Sequence, residues 1–351
     1  MNDQMRALNR IGDVVVYNSN LWYRGEYEQN HPGRYYDFHL FQKKVPTLYH
    51  LPAYRWWELQ SYRMGLKLPK PDIIHLHGAA LRGKWALKLA KTWGVPLVIT
   101  EHTGPWSSIT ARPMLLRRVK WVMERADCVM PVSNHLAYEM AASGVVSRRM
   151  EVLANPVDTE FFTLRESPLG GEKCIRFVGR LDPFKGAMRT LQAFHAVADR
   201  LRGYELHITG DGKEAHDIAA YVSAQGLGDR VHLERGFFGR EHLRSLYHRA
   251  AFLVYPSLFE SFGLVGAEAL STGLPVLITN RTGPCDYFAA HCGLAIDPTD
   301  VEAMAQGMVH MAEHLHLYDP AAIRGHMHTH FGVERYANRL RALYQSVLSS
   351  G

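Results

Sequence analysis

At 351 residues the chain exceeds what one hydrophobic core usually supports, so two domains are expected, and its 47% hydrophobic and 21% charged content is that of an ordinary globular protein. No apolar run approaches the roughly 18 residues that span a bilayer, and the start MNDQMRALNRIGD lacks the apolar centre of a signal peptide, so a cytoplasmic protein is expected. The net charge of +6 is uneven: residues 1–150 carry 21 Lys and Arg against 11 Asp and Glu, and the remainder carries 19 against 23.

In chain order, MNDQMRALNRIGDVVVYN reads as the end of a helix followed by a strand. Further strands are predicted at DIIHLH, PLVITEH, CVMPVS and MEVLAN. Between them LRGKWALKLAKTWG and RPMLLRRVKWVMERAD have helical periodicity. The segment NPVDTEFFTLRESPLGGEK, residues 155–173, has the Pro, Gly and charge of an interdomain connection. After it CIRFVG, YELHITG, RVHLERG, FLVYPS and PVLITN alternate with helix patterns such as GAMRTLQAFHAVADRLR and HDIAAYVSAQG. This order predicts an α/β protein with two doubly wound parallel sheets.

Open parallel sheets bind ligands beyond the carboxyl ends of their strands. Four such loops in the second half carry candidate chemistry. GRLDPFKG sets Gly179, Arg180 and Lys185 at a strand end before a helix, an arrangement suited to an anion. GDGKEA and GFFGREHL follow the next two strands. The fourth, PSLFESFGLVGAEAL, sets Glu260 and Glu268 eight residues apart around Gly263. With Phe262, Gly263 and Leu264 as a first helical turn, free amides and the helix dipole favour a phosphate there. A carboxylate at Glu260 then suits a hydroxyl-rich group such as a sugar. Glu268, two turns into the helix, suits the vicinal hydroxyls of a ribose. Taken alone, Glu260 as a cap and Glu268 as an exposed helix residue explain the pair equally simply.

GRLDPFKG, ITGDGKEA, DRVHLERGFF and PSLFESFGLVGAEALSTGLPVL together resemble the donor domain of the family 4 retaining glycosyltransferases, and PDIIHLHG, PLVITEHTG, ADCVMPVSNHL and VLANPVDTEFF resemble their first domain. The resemblance implies a GT-B architecture: an acceptor-side Rossmann-like domain over residues 1–160, a donor-binding one over 161–330, and a final helix, 331–351, that crosses back. It implies transfer of a hexose-type sugar, with retention of configuration, from a UDP- or GDP-sugar to a glycan or lipid-linked acceptor of cell-envelope or polysaccharide synthesis. Carried over residue by residue, Gly179, Arg180 and Lys185 meet the diphosphate, Glu260 the donor sugar, the Phe262 to Val265 backbone the phosphates and Glu268 the ribose. Arg235 and Phe237 lie by the base, and His102 of TEHTG reaches the transferred sugar. The catalytic set is then His102, Glu260, Arg180 and Lys185. In this scheme the leaving phosphate helps take the acceptor proton, so no enzyme nucleophile, cofactor or metal is expected. The family normally opens with a strand and a glycine-rich loop, and here that strand is expected to be missing.

Two rival readings come from other classes. Gly210, Gly212 and Ala215 form G-x-G-x-x-A after a strand, with Glu234 near the spacing of a ribose ligand, as in a dinucleotide-dependent oxidoreductase. A sugar-nucleotide epimerase or a binding-only remnant on the same fold is the other.

The remaining features carry less. Cys128, Cys174, Cys285 and Cys292 are too irregularly spaced for a disulfide framework or a zinc motif and read as reduced thiols. Three histidine groups, His75 with His77, His310 with His314 and His316, and His326 with His328 and His330, read as surface side chains; the last is expected in a loop. His77, at a strand end, is a weaker site candidate. Leu115, Leu116, Trp121 and Val122 beside Arg117, Arg118 and Lys120 make an anionic membrane surface a candidate partner. No helix-turn-helix or RNA-binding aromatic signature is present, so no nucleic-acid partner is expected.

Overall fold

The computed structural model describes residues 2–12, 15–20, 34–39, 59, 62–63, 65–166 and 173–349, so residues 167–172 of the predicted connection lie outside it. The chain divides into two compact units. Unit 1 comprises Met1–Val132, Ala137–Leu153 and Tyr336–Gly351, and unit 2 comprises Ser133–Leu136 and Ala154–Arg335.

Unit 1 starts with helix α1 (Asn2–Asn9) and a parallel pair, β1 (Val15–Asn20) with β2 (Arg34–His39). Among the described residues no strand precedes β1. A three-stranded parallel sheet follows, β3 (Ile74–His77), β4 (Leu97–Glu101) and β5 (Cys128–Pro131), in that order. All five residues of β4 are buried, as expected of the middle strand of a covered parallel sheet. Helices α2 (Ala79–Trp93) and α3 (Pro113–Met123) pack on each other and supply the crossovers. The run MEVLAN, expected as a strand, contributes only an isolated bridge from Met150 to Val129. Helix α4 (Asn134–Ala142) follows β5.

Unit 2 is built on six parallel strands: β6 (Cys174–Val178), β7 (Glu205–Gly210), β8 (Val231–Arg235), β9 (Phe252–Tyr255), β10 (Val276–Thr279) and β11 (Gly293–Ile296). Their order is β11-β10-β9-β6-β7-β8. The chain builds one side of the sheet, β6 to β8, then returns to pair β9 with β6 and builds the other. The reversal between β6 and β9 is the switch point at which open α/β sheets bind ligands. Ile175, Phe177, Leu206, Ile208, Phe252 and Val254 are almost wholly buried between the helix layers. Those layers include α5 (Ala187–Ala196), α6 (Ala215–Ala224), α7 (Arg240–Arg249), α8 (Leu264–Ser271) and α9 (Val301–Glu313). Helix α10 (Pro320–Phe331) holds His326, His328 and His330, which correct the expectation of a loop. Asp319 caps it by accepting from the Ala321 amide, and Pro320 suits its first turn. Helix α11 (Val333–Ser349) ends the described chain.

Candidate functional site

The carboxyl ends of β6 and β9 lie side by side, and three loops knit over them. The Leu258 amide donates to the Phe184 carbonyl, and the Arg189 guanidinium on α5 donates to the carbonyls of Pro183, Pro256 and Pro298. Burial lowers the pKa of Arg189. A cavity of about 420 Å³ opens here, with Arg180, Asp182, Phe184, Arg189, Lys213 and Leu258 in its wall. Sequence reasoning missed Arg189 and Lys213, which belong to a helix pattern and a glycine turn and look like ordinary surface cations.

Helix α8 starts at Leu264, two residues later than expected, because Gly263 caps it in the left-handed conformation at φ 88°. A Cβ there would also lie 2.8 Å from Pro284 and 3.1 Å from the Tyr255 ring, so both backbone and space call for glycine. The amides of Leu264, Val265 and Gly266 have no intrahelical partners. The Phe262 side chain is not at the site. It is buried against Tyr287 and Phe331, with ring centroids 5.1 and 6.3 Å away, and only its backbone remains near the helix start. Tyr287 donates to the Gly263 carbonyl at 2.8 Å and steadies the cap.

Glu260 lies just before this turn, and its Oε1 accepts from both the Lys185 ammonium and the Tyr255 phenol. Burial, then the Glu260 carboxylate, raise the Tyr255 pKa well above the usual phenol range, so the phenol stays a donor. Arg180 pairs with buried Asp182 at 2.6 Å and leaves 64% of its side chain exposed. Glu268, half-buried on α8, acts on the wholly buried Tyr247 phenol, whose pKa is raised by burial first and by this carboxylate second. At the end of β8, Arg235 pairs with Asp211 at 3.0 Å, and Phe237 is 84% exposed.

The glycines of TGDG are explained by close packing. A Cβ on Gly210 would lie 1.8 Å from the Gly179 carbonyl oxygen, and one on Gly212 would lie 2.6 Å from Leu181 backbone. Glu234, the ribose ligand of the oxidoreductase reading, instead accepts from Thr209 and pairs with His242. The GRLDPFKG and TGDG loops thus lie against each other where that reading needs room for a pyrophosphate.

In unit 1, His102 follows β4 and its Nε2 lies 3.0 Å from His77 Nδ1. The His77 ring stacks on His75, whose nitrogens meet Thr100 Oγ1 and Tyr344 OH, each at 2.6 Å. Burial holds all three imidazoles neutral, with His77 lowered to about 4, His102 to about 3 and His75 well below its usual value. His75 and His77 are therefore not surface side chains. Beneath them lies Glu101, 1% exposed. Its Oε1 accepts from the His102 and Thr103 amides and the Thr103 hydroxyl, and its Oε2 accepts from the Ala79 amide at the start of α2. In the sequence Glu101 looks like one more residue of a strand, although a carboxylate at the end of an apolar strand is a signal in itself. On α3, Leu115 and Val122 belong to the core and cannot enter lipid, while Trp121 is exposed beneath the cations of Lys84 and Arg125.

Two family models match the chain: Glycosyltransferase Family 4 over residues 4–161 and Glycosyl transferases group 1 over residues 161–314. A curated relative, 2-deoxystreptamine glucosyltransferase from Streptomyces kanamyceticus, is 27% identical over 306 residues, covering 78% of this chain and 77% of its own. Sucrose-phosphate synthase from Thermosynechococcus elongatus superposes with a TM-score of 0.71 at 21% identity, over 86% of this chain and 80% of that one. The Anabaena protein HepE in complex with UDP-glucose superposes with a TM-score of 0.68 at 18% identity, over 86% and 84%. The two family models meet at residue 161 and together take in both sheets, so the chain belongs to the family 4, group 1 retaining glycosyltransferases of GT-B fold, enzymes that transfer a sugar from a nucleotide-sugar donor.

Proposed function

We propose that unit 2 binds a nucleoside-diphosphate hexose, with UDP-sugar as the first donor class to test and GDP-sugar the second. The acceptor class is a glycan or lipid-linked glycan of envelope or polysaccharide synthesis. The observation that carries this reading is the junction of a helix start at Leu264 that has no side-chain cap with the Lys185 and Glu260 pair, at the switch point of the sheet. HepE, a neighbour in fold, holds UDP-glucose, which favours the same donor class here.

In this assignment the amides of Leu264 and Val265, with Arg180 and Lys185, take the diphosphate and stabilise the charge that develops as it leaves. Glu260 accepts from hydroxyls of the donor sugar, and Glu268 from the ribose. Arg235 and Phe237 flank the base. His102 is the candidate from unit 1 to act on the transferred sugar, as a neutral imidazole. The acceptor oxygen bonds to the anomeric carbon on the face from which the diphosphate departs, and the departing phosphate oxygen receives the acceptor proton. Fixed cations and helix amides do the work that a divalent ion does in other transferases, so turnover is metal-independent. Cytoplasmic work at an anionic membrane face fits Trp121 with its neighbouring cations. Among the described residues no helix is long and apolar enough to cross a membrane.

The test is a calorimetric and thermal-shift panel of UDP, GDP, ADP, their sugars and NAD on this chain and on Glu268→Ala. A ligand at 100 times its Kd adds about 2.7 kcal/mol of stability. One nucleoside diphosphate binding, and binding more weakly to the variant, supports the assignment. Binding of NAD alone overturns it. Loss of turnover in EDTA from a chain that stays folded, restored only by a divalent ion, overturns the metal-free mechanism, and liposome co-sedimentation without preference for anionic lipid at low salt overturns the membrane assignment.

A further inference from the structure

A cluster that no sequence motif announces lies at the other end of the unit 2 sheet. Glu205 and His207 are two residues apart on β7 and therefore share one face. His232 on β8 is the register partner of His207. Glu205 Oε2 lies 3.0 Å from His207 Nε2 and 3.1 Å from His232 Nε2, and the imidazole centroids are 4.6 Å apart. All three ligand atoms fall within 4.8 Å of one another. A tetrahedral ion bound at 2.0–2.2 Å holds its ligand atoms about 3.3 Å apart, so small side-chain rotations complete the geometry.

We propose that Glu205, His207 and His232 form a binding site for a divalent cation of the zinc class, which fastens the edge strand β8 to β7. Two imidazoles and one carboxylate suit zinc or cobalt; magnesium and calcium take oxygen ligands. The side chains are 28–46% exposed, which gives the ion an entry path and leaves a coordination position for water. Arg176, the register partner of His207 on β6, places a cation nearby, and Glu205 is the charge that offsets it.

The position excludes a part in sugar transfer. Glu205 is the first residue of β7, whereas the donor loops leave the sheet after Gly210 and Arg235. Glu205 is five residues from Gly210, about 16 Å along the strand, and His232 is three residues from Arg235, about 10 Å. The ion therefore acts on stability. Among the described residues β8 is an edge strand paired only with β7, so ligands from both strands fasten it to its neighbour.

The experiment titrates the metal-free full chain with Co²⁺, read by its visible ligand-field bands, followed by displacement with Zn²⁺ and unfolding with and without Zn²⁺. The expected result is one saturable site with four- or five-coordinate bands and a higher unfolding temperature in Zn²⁺. Loss of a partner that merely orients a ligand costs about 10–100-fold in affinity, so His232→Ala and Glu205→Gln are each expected to weaken Co²⁺ binding at least about tenfold. His310→Ala, which removes one of a stacked histidine pair elsewhere, is expected to leave it unchanged. No saturable binding, binding indifferent to both His232→Ala and Glu205→Gln, or binding lost with His310→Ala overturns the proposal. Circular dichroism and nucleotide binding report whether each variant is folded, and Glu205→Gln serves should His232→Ala fail to fold.

Discussion

Lys185 and Glu260, 75 residues apart in sequence, close on each other across the ends of β6 and β9, and Tyr255 donates to the same carboxylate oxygen. Their side chains are 19% and 12% exposed, so each is held by its partners more than by water. A donor that takes the ammonium with its phosphate and the carboxylate with its sugar must part this pair. Lys185→Met is expected to lower kcat/KM by about 10²–10³-fold, the scale for removing one electrostatic contact to the developing charge. The loss of folding stability is expected near 1–2 kcal/mol, because the remaining carboxylate keeps its phenol donor. Steady-state kinetics and denaturant unfolding separate the two effects. An unchanged kcat/KM sinks the role given to Lys185.

Glu268→Ala is expected to weaken nucleoside diphosphate binding by about 10–100-fold, matching about 1.5–3 kcal/mol for a hydrogen bond to a charged group. Isothermal titration reads it directly. The corresponding 2′-deoxy nucleotide should lose affinity against the parent chain and little against the variant. Equal losses would detach Glu268 from the ribose.

Glu101 accepts from the His102 amide, so in the proposed site it acts through His102 as a positioning residue. Glu101→Gln keeps one carbonyl oxygen for the Thr103 and His102 amides but turns an NH₂ toward the Ala79 amide, donor against donor. Stability is expected to fall by about 1–3 kcal/mol, with a drop in kcat larger than any change in donor KM. Glu101→Asp should recover part of the rate and little of the stability. A normal kcat in a folded Glu101→Gln removes the positioning role.

The neutral imidazoles of His75, His77 and His102 make unit 1 sensitive to acid. Their pKa values are depressed by folding, so the unfolded chain binds protons first. The stability they carry is complete above the unfolded value of about 6.5 and is lost as pH falls from there toward the folded values of about 4 and 3 for His77 and His102. Each pH unit in that window costs up to about 1.4 kcal/mol per histidine. Unfolding curves between pH 7 and 4 are expected to show a slope that His77→Phe reduces. A slope identical in the variant would show that other groups account for it.

The donor half was legible in the sequence because its chemistry is local. Gly263 before a helix and the Glu260 to Glu268 spacing fall within one fifteen-residue stretch, 256–270, directly after β9. Helix α8 starts later than the first turn expected at Phe262, because the left-handed Gly263, packed on Pro284 and Tyr255, fixes the cap. Phe262 is assigned to the site through its backbone, and nothing in its sequence context signals that its side chain is buried against Tyr287 and Phe331. The same limit hid the Lys185 to Glu260 pair, Glu101 under His102, and the Glu205, His207 and His232 cluster, whose members come from strands 25 residues apart. His75 and His77 were read as exposed because strand alternation does not reveal that Tyr344, 269 residues away from His75, meets His75, or that His77 lies between His75 and His102.

Unit 1 is written in pieces, and its last piece comes at the end of the chain: Tyr336–Gly351 return to it after the whole of 154–335 has been spent on unit 2. On the ribosome, residues 154–335 can fold as soon as they emerge, while the first sheet waits. Tyr344 for His75, Ser346 for Arg149 and Arg341 for the Arg10 carbonyl arrive only with that final helix. A nascent chain that has not reached residue 336 therefore holds every residue of unit 2, while unit 1 still lacks the side chains that meet His75, Arg149 and the Arg10 carbonyl.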